Sequence, residues 1–274
     1  MTPQEPPRLT DGELRAIAKL VYEKSGIVLH EGKRELITSR LQKRLRHLGL
    51  ESYGAYLKLV AADASGAELV TLLDSIATNH THFFREAKHF DLLVERVLAS
   101  AAFKQGRELQ GWCAACSTGE EPYTILMSLL EAGVPRVKML ASDMSTKALA
   151  TARQGVYRLE RMQEVPRPLL HKYFQKGLGA QTGLARVHPD VRRMVEFRQL
   201  NLLEVSSLGQ AFDFIFCRNV MIYFDKAVQQ RVVAMLERHL APGGYLFIAH
   251  SESLNGISHG LTTIAPAAFQ RRAA

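Results

Sequence analysis

Residues 111–144 constrain the fold of this chain more strongly than any other stretch of the sequence. The apolar run at 112–116 is typical of a buried strand, and the small residues at 117–119 favour a tight turn after it. Pro122 then suits the first turn of a helix, because its missing N–H would be unpaired there in any case. A second apolar run follows and ends in Asp143. The pattern predicts a strand–turn–helix–strand unit with an acid at the end of its second strand.

The turn and the acid together indicate which kind of ligand such a unit would bind. In doubly wound sheets, ligands lie at the carboxyl ends of the strands, and an acid about twenty residues beyond the turn binds ribose hydroxyls. The turn has only Gly119, whereas a pyrophosphate-binding turn is rich in glycine, and Glu120 and Glu121 would repel a phosphate. The combination favours a positively charged nucleoside such as S-adenosylmethionine. The alternative is an ordinary Rossmann-like half whose glutamates are solvated.

Length and composition narrow the possibilities further. The 274 residues suffice for one large domain or two smaller ones, and a hydrophobic content of 47% is ample for a packed core. The sequence has no apolar run of membrane-spanning length, its start is polar and proline-rich, and its three cysteines do not suggest a disulfide framework. These features predict a protein of the reducing cytoplasm. The net charge of +8 predicts attraction to nucleic acid, a membrane surface or an acidic protein.

Residues 1–78 show the periodicity of a small all-helical domain. Thr10 and Glu13 form a capping-box pattern at the start of its first helix. The second helix, predicted at 33–48, carries six basic residues and one acid outside its apolar face. Such a run of charge is usually a solvated face, but it could equally dock an anionic partner. The candidate docking residues are Arg40, Lys43, Arg44 and Arg46.

Residues 79–274 alternate predicted strands and helices, and several of the strands end in polar residues. These residues are Asp143, Asn201, Asn219 and Glu252. Because the carboxyl ends of parallel strands meet at one edge of a sheet, we expect them to line a single site. Residues 156–194 interrupt the alternation and predict a small inserted subdomain with one helix and a hairpin or two.

Polar residues also stand among phenylalanines in the segment 75–93, at Asn79, Thr81 and Arg85. Burying a polar group without a partner is costly, so polar residues in an apolar setting are informative. The segment is therefore either part of the site or a linker helix whose phenylalanines pack and whose polar groups face water.

Two short motifs have the residue types of metal sites but lack a complete set of ligands. His80 and His82 have no second ligand cluster, and Cys113 and Cys116 lie in a predicted strand with one other cysteine in the chain. No metal is therefore expected, and the cysteines are expected to be buried thiols.

A series of motifs covers nearly the whole chain: TNHTHFFRE, AACSTGEEPYTI, ASDMSTKALATARQGVY, NLLE, FDFIFCRNVMIYF and LAPGGYLFIAHSESL. In order and spacing they resemble the CheR family of chemotaxis receptor methyltransferases, which methylate protein glutamates. The departures are two histidines in the first motif and cysteines where small residues are more usual in the strand. The resemblance implies an α/β fold: an all-helical N-terminal domain at 1–78, a Rossmann-like S-adenosylmethionine-dependent methyltransferase domain at 79–274, and a small β-subdomain inserted at 156–194.

The resemblance also implies roles for individual residues. Those expected to contact S-adenosylmethionine, or its product S-adenosylhomocysteine, are Asn79, Thr81, Arg85, Ala115, Glu121, Asp143, Asn201, Leu202, Arg218 and Asn219. Among them, Glu121 would bind the methionine amino group and Asp143 the ribose. Arg85 and Tyr223 match the catalytic pair that the family places beside the transferred methyl group.

The implied partners are methyl-accepting chemotaxis receptors. Such receptors are long helical bundles with acidic methylation sites, which would suit the basic helix at 33–48. One subset of the family also binds a C-terminal pentapeptide of the receptor through the β-subdomain, and a glycine-containing loop marks that subset. Gly177, Gly179 and Gly183 resemble this loop, so binding of a receptor tail stays an open expectation. We expect a cytoplasmic protein, recruited to receptor arrays, that neither binds nucleic acid nor inserts into the membrane.

Three other functions fit the sequence less well. A nucleic-acid methyltransferase would share the cofactor domain and a basic surface, but residues 217–224 lack the proline-containing motif of amino-methylating enzymes. A nicotinamide oxidoreductase would need the glycines that the turn lacks. A non-catalytic receptor-binding adaptor would have no need of the implied catalytic and cofactor residues, and Arg85, Asp143, Asn219 and Tyr223 are all present.

Overall fold

The computed structural model describes residues 7–273, and these divide into two compact units. The first unit extends to Thr78 and also takes in Tyr223–Asp225, while the second contains the remaining described residues. The sequence indicates no role for residues 223–225 in the helical unit, because so short a segment carries no periodicity of its own.

The first unit is helical, as its apolar spacing predicts. Its helices, within the described residues, are α1 (Asp11–Ser25), α2 (Arg34–Leu48), α3 (Tyr53–Ala62) and α4 (Ala67–Ile76). The predicted capping box is confirmed, since the Glu13 N–H donates to Thr10 Oγ1 and the Thr10 N–H donates to Glu13 Oε2. The apolar positions three and four apart on α1 and α2 are buried, and they include Ile17, Val21 and Leu41.

Residues 223–225 join the first unit through specific hydrogen bonds. The Val28 N–H donates to the Tyr223 carbonyl at 2.9 Å. The Tyr22 hydroxyl donates to the Asp225 carboxylate at 2.7 Å. These contacts connect residues about two hundred positions apart in the sequence, so no local pattern could have indicated them.

The second unit carries the sheet and the helices that cover it. The helices are α5 (Lys88–Ala99), α6 (Ala101–Lys104), α7 (Glu120–Glu131), α8 (Thr146–Gln154), α9 (Arg167–Tyr173), α10 (Pro189–Arg192) and α11 (Lys226–His239). The strands are β1 (Leu109–Ala114), β2 (Val137–Asp143), β3 (Val156–Arg158), β4 (Phe174–Lys176), β5 (Leu184–Val187), β6 (Val195–Gln199), β7 (Phe212–Cys217), β8 (Leu240–Phe247), β9 (Thr262–Ala265) and β10 (Ala268–Gln270).

Within the described residues, seven strands form the central sheet in the order β6-β2-β1-β7-β8-β10-β9. The first five strands in this order, β6, β2, β1, β7 and β8, run parallel to one another. The last two, β10 and β9, add an antiparallel edge. The chain passes from β1 to β2 and β6 on one side and then continues at β7 on the other side of β1. In open α/β sheets, ligands bind where the strand order reverses in this way. The predicted Rossmann-like fold is confirmed, as is the antiparallel pair near the end of the chain.

The strands β3, β5 and β4 form a second, antiparallel sheet inside the predicted insertion. The hairpin β4–β5 and the preceding helix α9 match the prediction, and β3 pairs with the other edge of β5. Phe83 packs edge-on against Tyr157 and Phe174, with ring centroids 5.0 and 5.5 Å apart. These contacts join the inserted sheet to the segment that carries Arg85.

The central strands β1 and β7 are almost wholly buried. Trp112 and Phe216 are fully inaccessible, which agrees with the continuous apolar sequence of parallel strands covered on both faces. Among residues 7–273, no helix combines the length and the apolar character that crossing a bilayer requires.

Candidate active site

Strand ends bring the predicted site residues to one edge of the central sheet. Ala115 follows β1, Asp143 ends β2, Asn201 lies beyond β6, and Arg218 follows β7. All four strands are parallel, so their carboxyl ends share this edge. The edge includes the crevice between β1 and β7, where the strand order reverses.

The turn after β1 contains three residues in the left-handed conformation: Ala115 (φ 67°), Ser117 (φ 49°) and Gly119 (φ 95°). For a residue other than glycine this conformation costs of order 1–3 kcal/mol, so neighbouring groups must hold the turn in place. Asp143 does so in part: its Oδ2 accepts the Ser117 N–H and its Oδ1 accepts the Ser145 N–H, both at 2.8 Å. The predicted ribose acid therefore also fixes the turn beyond the neighbouring strand.

Gly119 is required by close packing. A Cβ added there would lie 2.8 Å from Ala152 Cβ and 3.0 Å from the Tyr157 hydroxyl oxygen. That hydroxyl donates to the Thr118 carbonyl at 2.7 Å, which holds the tyrosine against the turn. The single glycine of the turn thus allows it to pack on α8 and β3.

The two glutamates at the start of α7 have different surroundings. Glu120 is buried, its Oε2 accepts the Thr118 hydroxyl at 2.6 Å, and burial raises the pKa of its carboxyl above the ordinary value. Glu121 accepts a hydrogen bond from Arg218 Nη1 at 2.7 Å through Oε2, and the Cys113 thiol donates to its Oε1 at 3.1 Å. Glu121 is the less buried of the two and pairs with Arg218, so it is the better candidate to bind a cationic amino group.

Arg218 is a buried cation between two carboxylates. Its side chain is 1% exposed, with Nη1 on Glu121 Oε2 and Nη2 at 3.0 Å from Glu86 Oε2. The Nη2 group also donates to the Arg85 carbonyl at 2.7 Å. Burial acts to lower the pKa of the Arg218 guanidinium, but Glu121 and Glu86 outweigh burial and raise it. Two carboxylates surround one guanidinium, so this group of side chains carries a net negative charge.

The segment at 79–87 is an irregular loop before α5, not the linker helix considered from the sequence. Phe84 and Glu86 both have a φ of 57°, so left-handed residues flank Arg85 on both sides. Arg85 is half-buried, and its Nη1 donates to the His80 carbonyl at 3.0 Å. The other predicted residues of this loop are Asn79 and Thr81, both half-buried. Strained backbone of this kind is concentrated at functional sites.

The residues predicted for the far end of the cofactor lie beside Asp143. The Leu200 N–H donates to the Asp143 carbonyl at 3.1 Å, which brings the chain beyond β6 next to the end of β2. Leu202 is buried, and Asn201 is half-buried. On the other side of β1, Asn219 follows Arg218 with a φ of 59°.

Two family descriptions match almost the entire described chain. Residues 12–77 match the CheR methyltransferase, all-alpha domain, and residues 79–268 match the CheR methyltransferase, SAM binding domain. The chain belongs to the CheR methyltransferase family. It is an S-adenosylmethionine-dependent methyltransferase, and the predicted class of fold and cofactor is confirmed.

Curated relatives of this CheR chain are chemotaxis proteins. A chemotaxis protein methyltransferase of Salmonella typhimurium is 42% identical over 253 residues, which cover 91% of this chain and 86% of the relative. Chemotaxis protein methyltransferase 2 of Pseudomonas aeruginosa is 43% identical over 267 residues and covers 94% of each chain. Among solved structures, the glycopeptide N-methyltransferase MtfA aligns over 62% of this chain and 50% of its own, with 19% identity and a TM-score of 0.36.

The side chains of this CheR site fit S-adenosylmethionine. The cofactor carries positive charge on its sulfur and on its amino group, and the net negative charge of Glu86, Glu121 and Arg218 complements that charge. Asp143 ends the strand at which an acid binds ribose in such sheets. Glu121 would hold the amino group and Asp143 the ribose.

Tyr223, the other member of the implied catalytic pair, belongs to the first compact unit. The ammonium group of Lys33 lies 5.0 Å from the centroid of its ring. Arg85 belongs to the second unit. The pairing of these two residues at the methyl group therefore stays a prediction.

The structure separates the predicted docking residues of α2 into two kinds. Arg40 donates to carbonyls at the end of α4 at 2.7 and 2.9 Å, and Arg44 forms an ion pair with Glu68. Lys43 and Arg46 are exposed. Arg40 and Arg44 thus connect helices within the unit, and Lys43 and Arg46 remain available to a partner.

The three glycines of the β-subdomain lie in the loop between β4 and β5. A Cβ on Gly177 would collide with the Gln181 carbonyl, and Gly179 and Gly183 have φ values of 57° and 87°. All three positions therefore favour glycine for reasons of local geometry. Leu178, between Gly177 and Gly179, is 82% exposed. Binding of a receptor tail at this loop stays a prediction.

The cysteine motif is buried as free thiols, whereas the histidine motif contacts a carboxylate. The cysteines are free and buried, as expected, and burial raises the pKa of each thiol well above its ordinary value. In the HxH pair, His82 Nε2 lies 3.1 Å from a carboxylate oxygen of Glu164. That contact with the inserted subdomain could not be read from the sequence.

The sequence did not indicate one cluster of titratable residues: Glu86, His89 and His250. One polar side-chain atom from each of the three lies within 4.8 Å of the others. His89 is buried, and burial, with Arg218 and His250, lowers the pKa of its imidazole to about 4. The three residues come from two segments more than 150 positions apart. The available signal was that Glu86 and His250 lie in two of the CheR motifs, with His89 three residues beyond the first of them.

Proposed function

We propose that this chain transfers the methyl group of S-adenosylmethionine to glutamate side chains of chemotaxis receptors, giving glutamate methyl esters and S-adenosylhomocysteine. The observation that carries the proposal is the negatively charged group of Glu86, Glu121 and Arg218 directly beside the half-buried Arg85. A cationic cofactor suits the carboxylates, and an anionic acceptor suits Arg85. The names of the curated relatives support the receptor class.

The chemistry of this transfer needs no general base. A glutamate side chain has an ordinary pKa of about 4.3 and is already ionised near neutral pH. The bound cofactor supplies an electrophilic methyl group on a sulfonium that leaves as a neutral thioether. The acceptor oxygen bonds to the methyl carbon as the carbon–sulfur bond breaks, and the electron pair of that bond stays on sulfur. No proton has to be transferred.

The work of the protein is therefore alignment and exclusion of water. Holding reacting groups in line can supply roughly 7–11 kcal/mol in the best cases. Arg85 would hold the acceptor carboxylate, but weakly, because the attacking oxygen loses charge in the transition state. Tyr223 would order the acceptor through a hydrogen bond from its hydroxyl. The residues proposed to line the cofactor besides Arg85, Glu121, Asp143 and Arg218 are Asn79, Thr81, Ala115, Asn201, Leu202 and Asn219.

Recognition of the receptor is proposed to use two surfaces, the exposed cations of α2 and the loop between β4 and β5. Lys43 and Arg46 on α2 are exposed cations that suit an acidic helical bundle. The loop at 177–183, with its exposed Leu178, would bind a receptor C-terminal pentapeptide. Calorimetry with free pentapeptides tests the second surface, and absence of binding to any such tail removes it from the proposal.

A labelled methyl-transfer assay tests the proposed function. Receptor-containing membranes and S-adenosylmethionine labelled in its methyl group are incubated with the protein, and the receptor is then treated with mild base. We expect label on the receptor that base releases as methanol, because carboxyl esters hydrolyse readily. Label that resists base, or that appears on added DNA or RNA in place of the receptor, would contradict the proposal.

A further inference from the structure

One oxygen of Glu86 connects the Arg85 loop to two strands of the central sheet. Arg218 Nη2, just after β7, lies 3.0 Å from Glu86 Oε2. Beyond β8, the His250 N–H donates to the same oxygen at 3.1 Å, and His250 Nδ1 lies 2.9 Å from it. Arg218 Nη2 also donates to the Arg85 carbonyl at 2.7 Å. The peptide of Arg85 and the side chain that follows it are therefore anchored to the sheet.

These anchors hold a backbone that would otherwise relax. Phe84 and Glu86 are both left-handed, a conformation that non-glycine residues keep only when surrounding contacts over-determine it. On the other side of the loop, the Phe84 N–H donates to the Thr124 hydroxyl at 3.3 Å. Arg85 is thus presented from a strained loop that is fixed at the residue before it and at the residue after it.

The alternative use of Glu86, His89 and His250 as ligands of a metal ion does not agree with their geometry. The two imidazole rings are stacked, with centroids 4.4 Å apart and planes 23° apart. Their nitrogen lone pairs lie in the ring planes, so they run side by side and do not converge on one ion. The Glu86 oxygen already faces the guanidinium of Arg218, which would repel a cation.

We propose that Glu86 is a positioning residue that holds Arg85 in place for the acceptor carboxylate. It acts through the loop backbone and not on the reacting atoms, with Arg218 and His250 as its partners. Because Arg85 receives its role from the proposed function, this inference rests on that function. Removing the charge of Glu86 should then impair methyl transfer more than it impairs binding of the cofactor.

The Glu86→Gln variant keeps the size of the side chain and removes its charge. We expect kcat for receptor methylation to fall about 10- to 100-fold, as a displaced reacting group would cause. The dissociation constant of S-adenosylmethionine, measured by calorimetry, should rise by no more than about threefold, because Glu121 and Asp143, the residues proposed to hold the amino group and the ribose, are unchanged. Glu95→Gln, an exposed acid on α5, is the matched control and should change neither quantity. An equal loss in affinity and in kcat would overturn the proposal, since Glu86 would then act on the cofactor through Arg218 and Glu121.

A double-mutant cycle with Arg85→Ala asks whether Glu86 acts through Arg85. If it does, adding Glu86→Gln to the Arg85→Ala variant should cause no further fall in kcat. The same fractional loss in both backgrounds would show an independent effect and would overturn the proposal.

Amide hydrogen exchange tests the same claim without a substrate. Residues 80–87 should exchange faster in Glu86→Gln than in the unaltered protein, and Glu95→Gln should leave them unchanged. If the unaltered protein transferred no methyl group, the proposed function would fail, and this measurement would still decide the role of Glu86. Unchanged exchange in Glu86→Gln would overturn that role whatever the activity.

Discussion

The basic helix α2 and the acidic start of α7 each carry a run of like charge, but their charged side chains have different partners in the structure. On α2, Arg44 pairs with Glu68 of α4. At α7, Glu121 pairs with the buried Arg218, whereas the adjacent Glu120 is buried beside a threonine hydroxyl. In both regions the sequence shows the charged residues but not which of them form ion pairs within the protein.

The two buried glutamates Glu68 and Glu120 show how the surroundings of a buried carboxyl set the direction of its pKa shift. A hydrogen bond from Arg44 holds the pKa of Glu68 below the ordinary value, while burial raises the pKa of Glu120 above it. Burial disfavours the ionised form at both positions. A cation at hydrogen-bond distance reverses that effect for Glu68. The cationic partner of Glu68, together with its shallower burial, therefore favours the charged form of this carboxyl, whereas Glu120 is more deeply buried and has a hydroxyl as its partner.

Removing the cation from the acidic region should have the largest effect. Arg218→Met leaves Glu86 and Glu121 without their shared partner, and we expect a loss of about 3–5 kcal/mol in the free energy of unfolding. Urea denaturation measures this loss, and calorimetry should show much weaker binding of S-adenosylmethionine, because Arg218 no longer holds Glu121 in position for the amino group. Arg218→Lys keeps the charge but cannot bridge both carboxylates, so it should be intermediate. A change in stability of less than about 1 kcal/mol in Arg218→Met would contradict the account of a buried pair.

The matching change in the basic region should cost less, because Arg44 is more exposed than Arg218 and pairs with one carboxylate, not two. Arg44→Met should lower the free energy of unfolding by about 1–3 kcal/mol, since Glu68 loses its cationic partner. Lys43→Met, on the exposed face of the same helix, is the control and should stay within about 0.5 kcal/mol. Equal effects of the two substitutions would mean that the pair contributes nothing.

The opposite pKa displacements predict opposite dependence of stability on pH. The contribution of Glu68 is present above the ordinary carboxyl pKa and is lost as pH falls through its lowered value. Glu120 favours folding in its protonated form, so its contribution is lost as pH rises through its raised value. Near neutral pH, Glu68→Gln should therefore destabilise the protein, whereas Glu120→Gln should be neutral or stabilising. Urea unfolding at several pH values measures both, and the same sign for both variants would refute the comparison.

The smallest effect on the fold is expected from the exposed charges. Reversal of Lys43 and Arg46 to Glu should raise the KM for receptor fragments about 3- to 10-fold through lost charge attraction. Stability and affinity for S-adenosylmethionine should not change, because neither residue makes an ion pair in the described part of the chain. The Lys43→Met variant separates lost attraction from added repulsion. An unchanged KM in the double reversal would remove α2 from the docking surface.

Much of the fold was predictable because it depends on local periodicity. The apolar runs of β1, β2 and β7 and the helical spacing of α1, α2 and α11 follow from the residues that each element buries. Parallel strands then bring Asp143, Asn201 and Asn219 to one edge without any further information. The candidate cofactor site was accessible from the sequence for the same reason.

Contacts between distant segments were not predictable. The assignment of Tyr223 to the helical unit, the pairing of Arg44 with Glu68 and the anchoring of Glu86 by His250 all depend on how elements meet. A hydrogen bond or ion pair requires atoms within a few ångströms, and periodicity does not encode such distances.

The sequence by itself determined the class of fold, the polar ends of the strands and the family, because each of these is written in consecutive residues. Only the tertiary structure decided which charged side chains are neutralised inside the protein and which remain for a partner. The physical reason is that an ion pair needs two charges within a few ångströms of each other, and in the site Arg218 lies about 100 residues from Glu121 and about 130 residues from Glu86 along the chain.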